Sequence, residues 1–273
     1  MKTILVTGSS SGIGKATARY FAENGWNVIA TMRSPEKETD LIQYENLYIL
    51  KLDVEDKYTI HDAISKGIQR FGKIDVLLNN AGYGAMGLFE AATDSQIRRQ
   101  FDVNFFGCID TMKAILPHFR SNKEGTIINV SSMGGKITFP NNALYHASKF
   151  AIEGFSEAVS YELSSQNIKV KLIEPGSIKT DFAGRSMDFC ADESLTDYKE
   201  YLDTINKTLW EAFDMENLSS PDFVAEVIYQ AANDNLNQMR YIAGADAREI
   251  IQMRNEVGDE EYIKQTMNKF FHP

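Results

Sequence analysis

The chain has 273 residues, 43% hydrophobic and 24% charged, which is the composition of a folded globular protein and not of a disordered one. Its formal net charge of -10 argues against nucleic acid or an anionic membrane as partner, since both call for basic faces. Cys108 and Cys190 stand in no metal or redox spacing and the histidines are scattered, so a reducing compartment is expected and no metal site. The opening MKTILVTG has too short an apolar run before its glycine for a signal-peptide core, and no run approaches a membrane span, so a cytoplasmic protein is expected.

In chain order, strand-sized runs apolar on both faces occur at 3–7, 27–32, 47–54, 74–80, 125–132, 168–175 and 240–245. Segments of helical period lie between them, at 12–24 (closed by Gly25), 57–71, 94–119, 145–165 and 222–233 (behind a Ser-Ser-Pro start). The alternation predicts an α/β fold, a doubly wound, Rossmann-type parallel sheet of about seven strands with helices on both faces. No linker or composition break divides residues 1–273, so one domain is expected. An insertion at 181–220 and a polar, helical tail at 246–273 stand outside the alternation.

The first strand runs into TGSSSGIG and then into a helix. Gly8, Gly12 and Gly14 permit a tight turn and close approach of backbone to a ligand, and the helix N-terminus aims free N–H groups at a pyrophosphate. Lys15, just beyond, reads as a solvated helix residue. Further on, NALYHASKFAIEGF sets Tyr145 and Lys149 one turn apart on one helix face.

Three residues between the first two glycines, followed in order by LDV (52–54), NNAG (79–82), VNFFG (103–107), NVSS (129–132), YHASK (145–149) and PGSIKT (175–180), resemble the short-chain dehydrogenase/reductase family. The likeness covers about residues 3–180 and the final strand, and VIATMR with GFSEAVSYEL is similar to the family's hydroxysteroid- and retinol-type branch. The resemblance implies a nicotinamide cofactor held by Gly8, Ser10, Ser11, Gly12, Ile13 and Gly14, with Asp53 and Val54 at the adenine and Asn80 and Gly82 near the ribose, Asn79 being structural. It implies further that Pro175, Gly176, Ile178 and Thr180 position the nicotinamide. Arg33 follows Met32, where NAD users of the family place an acid, so NADP(H) is implied, with NAD(H) left open by Glu36 and Glu38.

The family likeness assigns catalysis to Asn104, Ser132, Tyr145 and Lys149. Hydride reduction of a carbonyl builds negative charge on oxygen, which needs stabilising and then a proton. Tyr145 would give that proton if the Lys149 ammonium, and in oxidation a cationic nicotinamide, draws its pKa down. Ser132 would bind the substrate oxygen, and Asn104 would hold a water beside the lysine. His146, a residue further round the helix, reads as packing or solvated.

Tyr198, Leu202, Ile205, Leu209 and Phe213 recur at helical spacing in the insertion, beside Tyr201 and Trp210, where the family carries a mobile lid. With Tyr83, Met86, Met133, Gly134 and Phe139 as walls, a small hydrophobic carbonyl or alcohol is the expected substrate. The helices at 94–119 and 145–165 resemble those pairing the family's homodimers and homotetramers. Three rival readings are an NAD(H)-linked dehydrogenase, a non-catalytic nucleotide-binding regulator and an epimerase or dehydratase. Retention of all four catalytic positions weighs against the regulator. The glycine spacing and the lack of a longer C-terminal substrate domain weigh against the epimerase.

Overall fold

A computed structural model describes residues 1–212, 218–234 and 236–271, without the side chains of residues 183 and 209–212. Its main sheet is built from β1 (Thr3–Val6), β2 (Asn27–Met32), β3 (Leu47–Lys51), β4 (Val76–Asn79), β6 (Gly125–Val130), β7 (Ile168–Pro175) and β9 (Arg240–Ala243). These seven strands lie in the order β3-β2-β1-β4-β6-β7-β9, every pair parallel, as the alternation predicts. The order reverses between β1 and β4, and in such sheets the crevice beyond the carboxyl ends at that reversal is where ligands bind.

Helices α1 (Gly12–Glu23) and α8 (Pro221–Asn233) cover one face, over a cluster that includes Phe21, Trp26, Val224 and Ile228. The other face carries α2 (Lys57–Phe71), α4 (Gly107–Asn122) and α5 (Ala143–Ser164), over Ile64, Met112, Ile115 and Ile152. Both faces of the strands are therefore buried, which is why the strand sequences do not alternate.

Three local features depart from the sequence reading. The helix expected over 94–119 is α3 (Asp94–Phe101), a π-helical turn at Asp102–Phe106, and then α4. A π turn carries one surplus residue, which a 3.6-residue pattern does not reveal, and such turns gather at functional sites. The insertion holds α6 (Phe182–Arg185), β8 (Met187–Cys190) and α7 (Lys199–Ala212), and β8 pairs in parallel with β5 (Gly84–Gly87) as a separate two-stranded ribbon. The tail is two helices, α9 (Ala245–Val257) and α10 (Asp259–Phe271), and it is anchored by Ala247, Ile251, Tyr262 and Phe270, all buried. Among the described residues no helix is long and apolar enough to cross a membrane.

Candidate active site

Thr7 begins the cradle at the end of β1. Its hydroxyl accepts from the backbone N–H groups of Asn80 (3.0 Å) and Ala81 (3.1 Å), and the Asn80 amide donates back to the carbonyls of Thr7 (2.9 Å) and Gly8 (3.1 Å). The two loops at the sheet's reversal are thus stitched together, and Asn80 serves as a brace for the glycine loop. Asn79 donates to the Asn129 side chain (2.9 Å) inside the sheet, the structural role expected of it.

Gly8 has φ 71°, and a Cβ on it would lie 2.9 Å from Ala81 Cα. A Cβ on Gly14 would lie 2.3 Å from the Gly8 carbonyl oxygen, so these two positions accept glycine alone. Ser11 is an extended N-cap whose side chain makes no capping bond, so the first-turn N–H groups of Gly12, Ile13 and Gly14 remain available to an anion. Ser10 is exposed beside them. Thr180 Cγ2 comes within 3.4 Å of where a Cβ on Gly12 would sit, so the segment from Pro175 through Gly176 and Ile178 to Thr180 closes one side of the same groove. These features fit a dinucleotide: a glycine cradle, unused helix N–H groups and a groove at the topological reversal.

Around the adenine end, Arg33 is exposed immediately after β2. Glu38 is buried; it accepts from the N–H groups of Asp40 (2.8 Å) and Leu41 (3.0 Å) and pairs with Lys15 at 3.1 Å. Lys15, expected to be solvated, is therefore held between Glu38 and Asp40. The Asp53 carboxylate accepts from Glu55 N–H (3.2 Å), and Val54 packs against Gly107 at the start of α4, where a Cβ would come within 2.6 Å of it.

The residues expected to react converge beyond the carboxyl end of β6. The Ser132 hydroxyl accepts from Gly134 N–H (3.0 Å) and lies near enough to the Tyr145 phenol to favour its charged form. Lys149 lies one turn beyond, its Nζ 5.7 Å from the centre of the Tyr145 ring and donating to the Val130 carbonyl at 3.0 Å. The electrostatics depart from the expectation that the ammonium draws the phenol down. Burial raises the Tyr145 pKa, with the nearby Ser132 hydroxyl opposing it. Burial also pushes Lys149 down to about 8. Both groups have left water, and desolvation is the largest influence on each.

Asn104 lies in the π turn, and its amide both accepts from Tyr83 N–H (3.0 Å) and donates to Tyr83 O (2.9 Å) and to Ser148 Oγ (3.1 Å). A Cβ on Gly82 would sit 3.3 Å from Asn104 Oδ1 and 3.8 Å from Lys149 Nζ, so the amide and the ammonium border one gap. His146 is buried and fully bonded, not solvated. Its Nδ1 meets the Gly134 carbonyl at 2.8 Å and its Nε2 accepts from Phe139 N–H at 2.9 Å. The ring thereby pins the 133–139 segment over Tyr145.

Two groups with no signal in the motifs also support the site. Asp246, at the start of α9, accepts from Ser177 N–H at 2.7 Å and fills the space beside Gly176, where a Cβ would come within 2.1 Å of it. Behind Lys149, Glu153 and Glu174 are both buried, and the Arg240 guanidinium reaches them at 3.0 Å and 3.4 Å and Glu157 at 2.7 Å. Burial, with the charge of Glu153, pushes the Glu174 carboxyl up to about 7. One arginine thus faces two buried carboxyls, and Glu174 is shifted toward its protonated form.

On the substrate side, Met133 and Phe139 pack in one apolar cluster and Met86 joins Phe139 in another. Gly134 packs on the Tyr145 ring, where a Cβ would lie 3.2 Å from its Cε1. Tyr83 lies beneath the Arg99 guanidinium of α3 (5.0 Å). Of the lid stripe, Ile205 is buried and Tyr201 half-buried, Leu202 is half-buried, and Tyr198 donates to Glu90 at 2.9 Å. Phe213 and the side chains of Leu209 and Trp210 lie outside the described residues.

A family model described as short chain dehydrogenase matches residues 2–190. The chain is 41% identical over 234 residues to an uncharacterized oxidoreductase of Schizosaccharomyces pombe, covering 85% of this chain and 96% of that protein. Among solved structures, a short-chain dehydrogenase from Streptomyces avermitilis superposes with a TM-score of 0.85 at 30% identity, covering 97% of both chains. ElxO, solved with NADP bound, superposes with a TM-score of 0.71 at 29% identity, covering 89% of this chain and 97% of its own.

Proposed function

This chain belongs to the short-chain dehydrogenase family, and on that premise we propose that it is an NADP(H)-dependent oxidoreductase acting on a hydrophobic ketone or the matching secondary alcohol. The observation carrying this reading is the convergence of Tyr145 and buried Lys149, the ammonium 5.7 Å from the ring centre, with Ser132 near enough to the phenol to draw its pKa down. A nicotinamide dinucleotide in that cradle supplies the hydride in reduction and accepts it in oxidation.

The chain's own residues do the rest. The Ser132 hydroxyl donates to the substrate oxygen as its negative charge grows, and the Tyr145 hydroxyl gives that oxygen its proton. Burial, which raises the Tyr145 pKa, keeps the phenol loaded for this step. The Lys149 ammonium, 5.7 Å from the ring centre, then stabilises the phenolate left behind. Asn104 borders the gap beside Lys149 in which a water completes the route for reprotonation. Met86, Met133 and Phe139 supply the apolar wall that selects a hydrophobic substrate.

Preference for NADP(H) is supported by Arg33, an exposed cation immediately after β2 that could pair with a 2′-phosphate, and by Glu38 being committed to Lys15 and two backbone donors. The NADP-bound relative supports it. In parallel titrations NADPH is expected to bind more tightly than NADH. Arg33→Ala should weaken NADPH roughly tenfold to a hundredfold, the worth of a charged hydrogen bond, and leave NADH unchanged. Equal loss for both nucleotides would overturn the assignment.

Exposed Phe106, Phe150 and Tyr161 support assembly into a homodimer or homotetramer. Sedimentation equilibrium should then return two or four times the 30.8 kDa chain mass. A monomer at micromolar concentration would refute this.

A further inference from the structure

From the packing of the C-terminal helix we infer that Tyr262 and Phe270 of α10 determine substrate specificity, holding Phe139 and lid helix α7 as the outer wall of the pocket over Tyr145. The inference rests on the oxidoreductase reading above and deepens it. None of the family motifs that identify the reacting groups extends to this helix.

The 133–139 segment is gripped from two sides. His146 holds it from beneath, through the bonds to Gly134 and Phe139. From outside, the Tyr262 hydroxyl, on a side chain only 1% exposed, donates to the Thr138 carbonyl at 3.2 Å. Arg254, whose guanidinium lies 5.2 Å from the Tyr262 ring, donates to the Lys136 carbonyl at 2.9 Å. Tyr262 itself is packed with Ile137 and Ile251, against Met133 and Phe139.

The same helix also holds the lid. Phe270, 2% exposed, is buried with Ile205 of α7, and Met86, Phe139 and Tyr201 pack against that pair. Phe271 stacks on Tyr201 at 5.7 Å, and Tyr201 donates to Asn141 at 3.0 Å. Phe139 therefore belongs to both clusters, one built on Tyr262 and one on Phe270, and it lies six residues before Tyr145. Removing either aromatic of α10 widens the apolar end of the pocket without touching the Ser132–Tyr145–Lys149 centre. Shape selection by an apolar wall appears as a change in KM for substrates long enough to reach it, while kcat stays with the reacting groups.

The test uses full-length Phe270→Ala, the size-conserving Phe270→Leu, and Tyr262→Phe, which removes only the hydroxyl. Activity is compared on cyclohexanone and on 2-decanone, and amide hydrogen exchange is followed over residues 136–141 and 199–208. The expected result for Phe270→Ala is about a tenfold rise in KM for 2-decanone with kcat and the cyclohexanone constants unchanged, and faster exchange in 199–208. Phe270→Leu should restore most of both, and Tyr262→Phe should speed exchange in 136–141. Equal change on both ketones, or exchange unaltered in every variant, overturns the inference. If the wild-type protein reduces neither ketone, the hydrophobic-ketone reading is what has failed, and the exchange arm still decides whether α10 holds the lid.

Discussion

Tyr145→Phe is expected to lower turnover of a hydrophobic ketone by roughly two to four orders of magnitude, the range that a positioned general acid contributes, while NADPH binding stays within about twofold. The substitution removes one oxygen and leaves the ring, which packs on Gly134 and faces Phe182 at 6.0 Å, so the pocket keeps its shape. Without the phenol no other acid stands at the same place among the described residues. His146 has both nitrogens committed to the backbone of 134 and 139, and burial holds its pKa below the ordinary value. Lys149 donates to Val130 and is a turn away. Steady-state rates with stopped-flow NADPH binding check the prediction. Loss of nucleotide binding in step with turnover, or turnover that survives, would remove Tyr145 from the acid's role.

The second large effect concerns pH and stability. Glu174 is pushed up to about 7 from an ordinary 4.5 by its burial and by the facing Glu153. The folded chain therefore holds a proton that the unfolded chain has released, and stability linked to it is fully present below the ordinary value and lost as pH rises through about 7. A displacement of that size corresponds to about 3 kcal/mol at pH 9. Glu174→Gln carries a neutral amide at every pH and escapes the loss. Urea midpoints should accordingly coincide near pH 4.5 and separate by pH 9 in favour of the variant. Comparing the two proteins cancels His118 and His146, whose lowered pKa values destabilise the fold in the opposite, acidic direction. Parallel stability curves across the range would show that Glu174 gains no proton on folding.

Much of this architecture was legible in the sequence, and the physical reason is the double cover of the sheet. Strands such as β4 and β6 are apolar on both faces because helices cover both, and that pattern is readable without a structure. The glycine cradle was legible because Gly8 and Gly14 admit no side chain, a constraint written directly into residue type. What stayed hidden depends on groups brought together from distant parts of the chain. Nothing in GAMG or MDFC marks a strand, since neither is β-branched and each is only four residues long. The π turn around Asn104 differs from an α-helix by one residue of register. The proximity of Lys149 to Tyr145 is visible in spacing, whereas the loss of solvent that is the largest influence on both groups is not. Asp246 and Glu174 look like any surface acids until the fold carries one to Ser177 and the other beneath Arg240.

The β5–β8 ribbon also bears on the order in which the molecule assembles. Residues 84–87 and 187–190 are about a hundred positions apart, yet their pairing is a lone parallel ladder of two strands, a unit with no independent stability. The closure entropy of so long a loop must be met before the ladder gives anything back, and the intervening β6, α5 and β7 have to be in place to shorten the gap. The nucleotide-binding half, by contrast, grows from neighbouring β-α-β units with modest separations. A nascent chain therefore acquires its cofactor cradle early and its substrate wall last, and the wall is the part of the molecule that chaperones and proteases would find open longest.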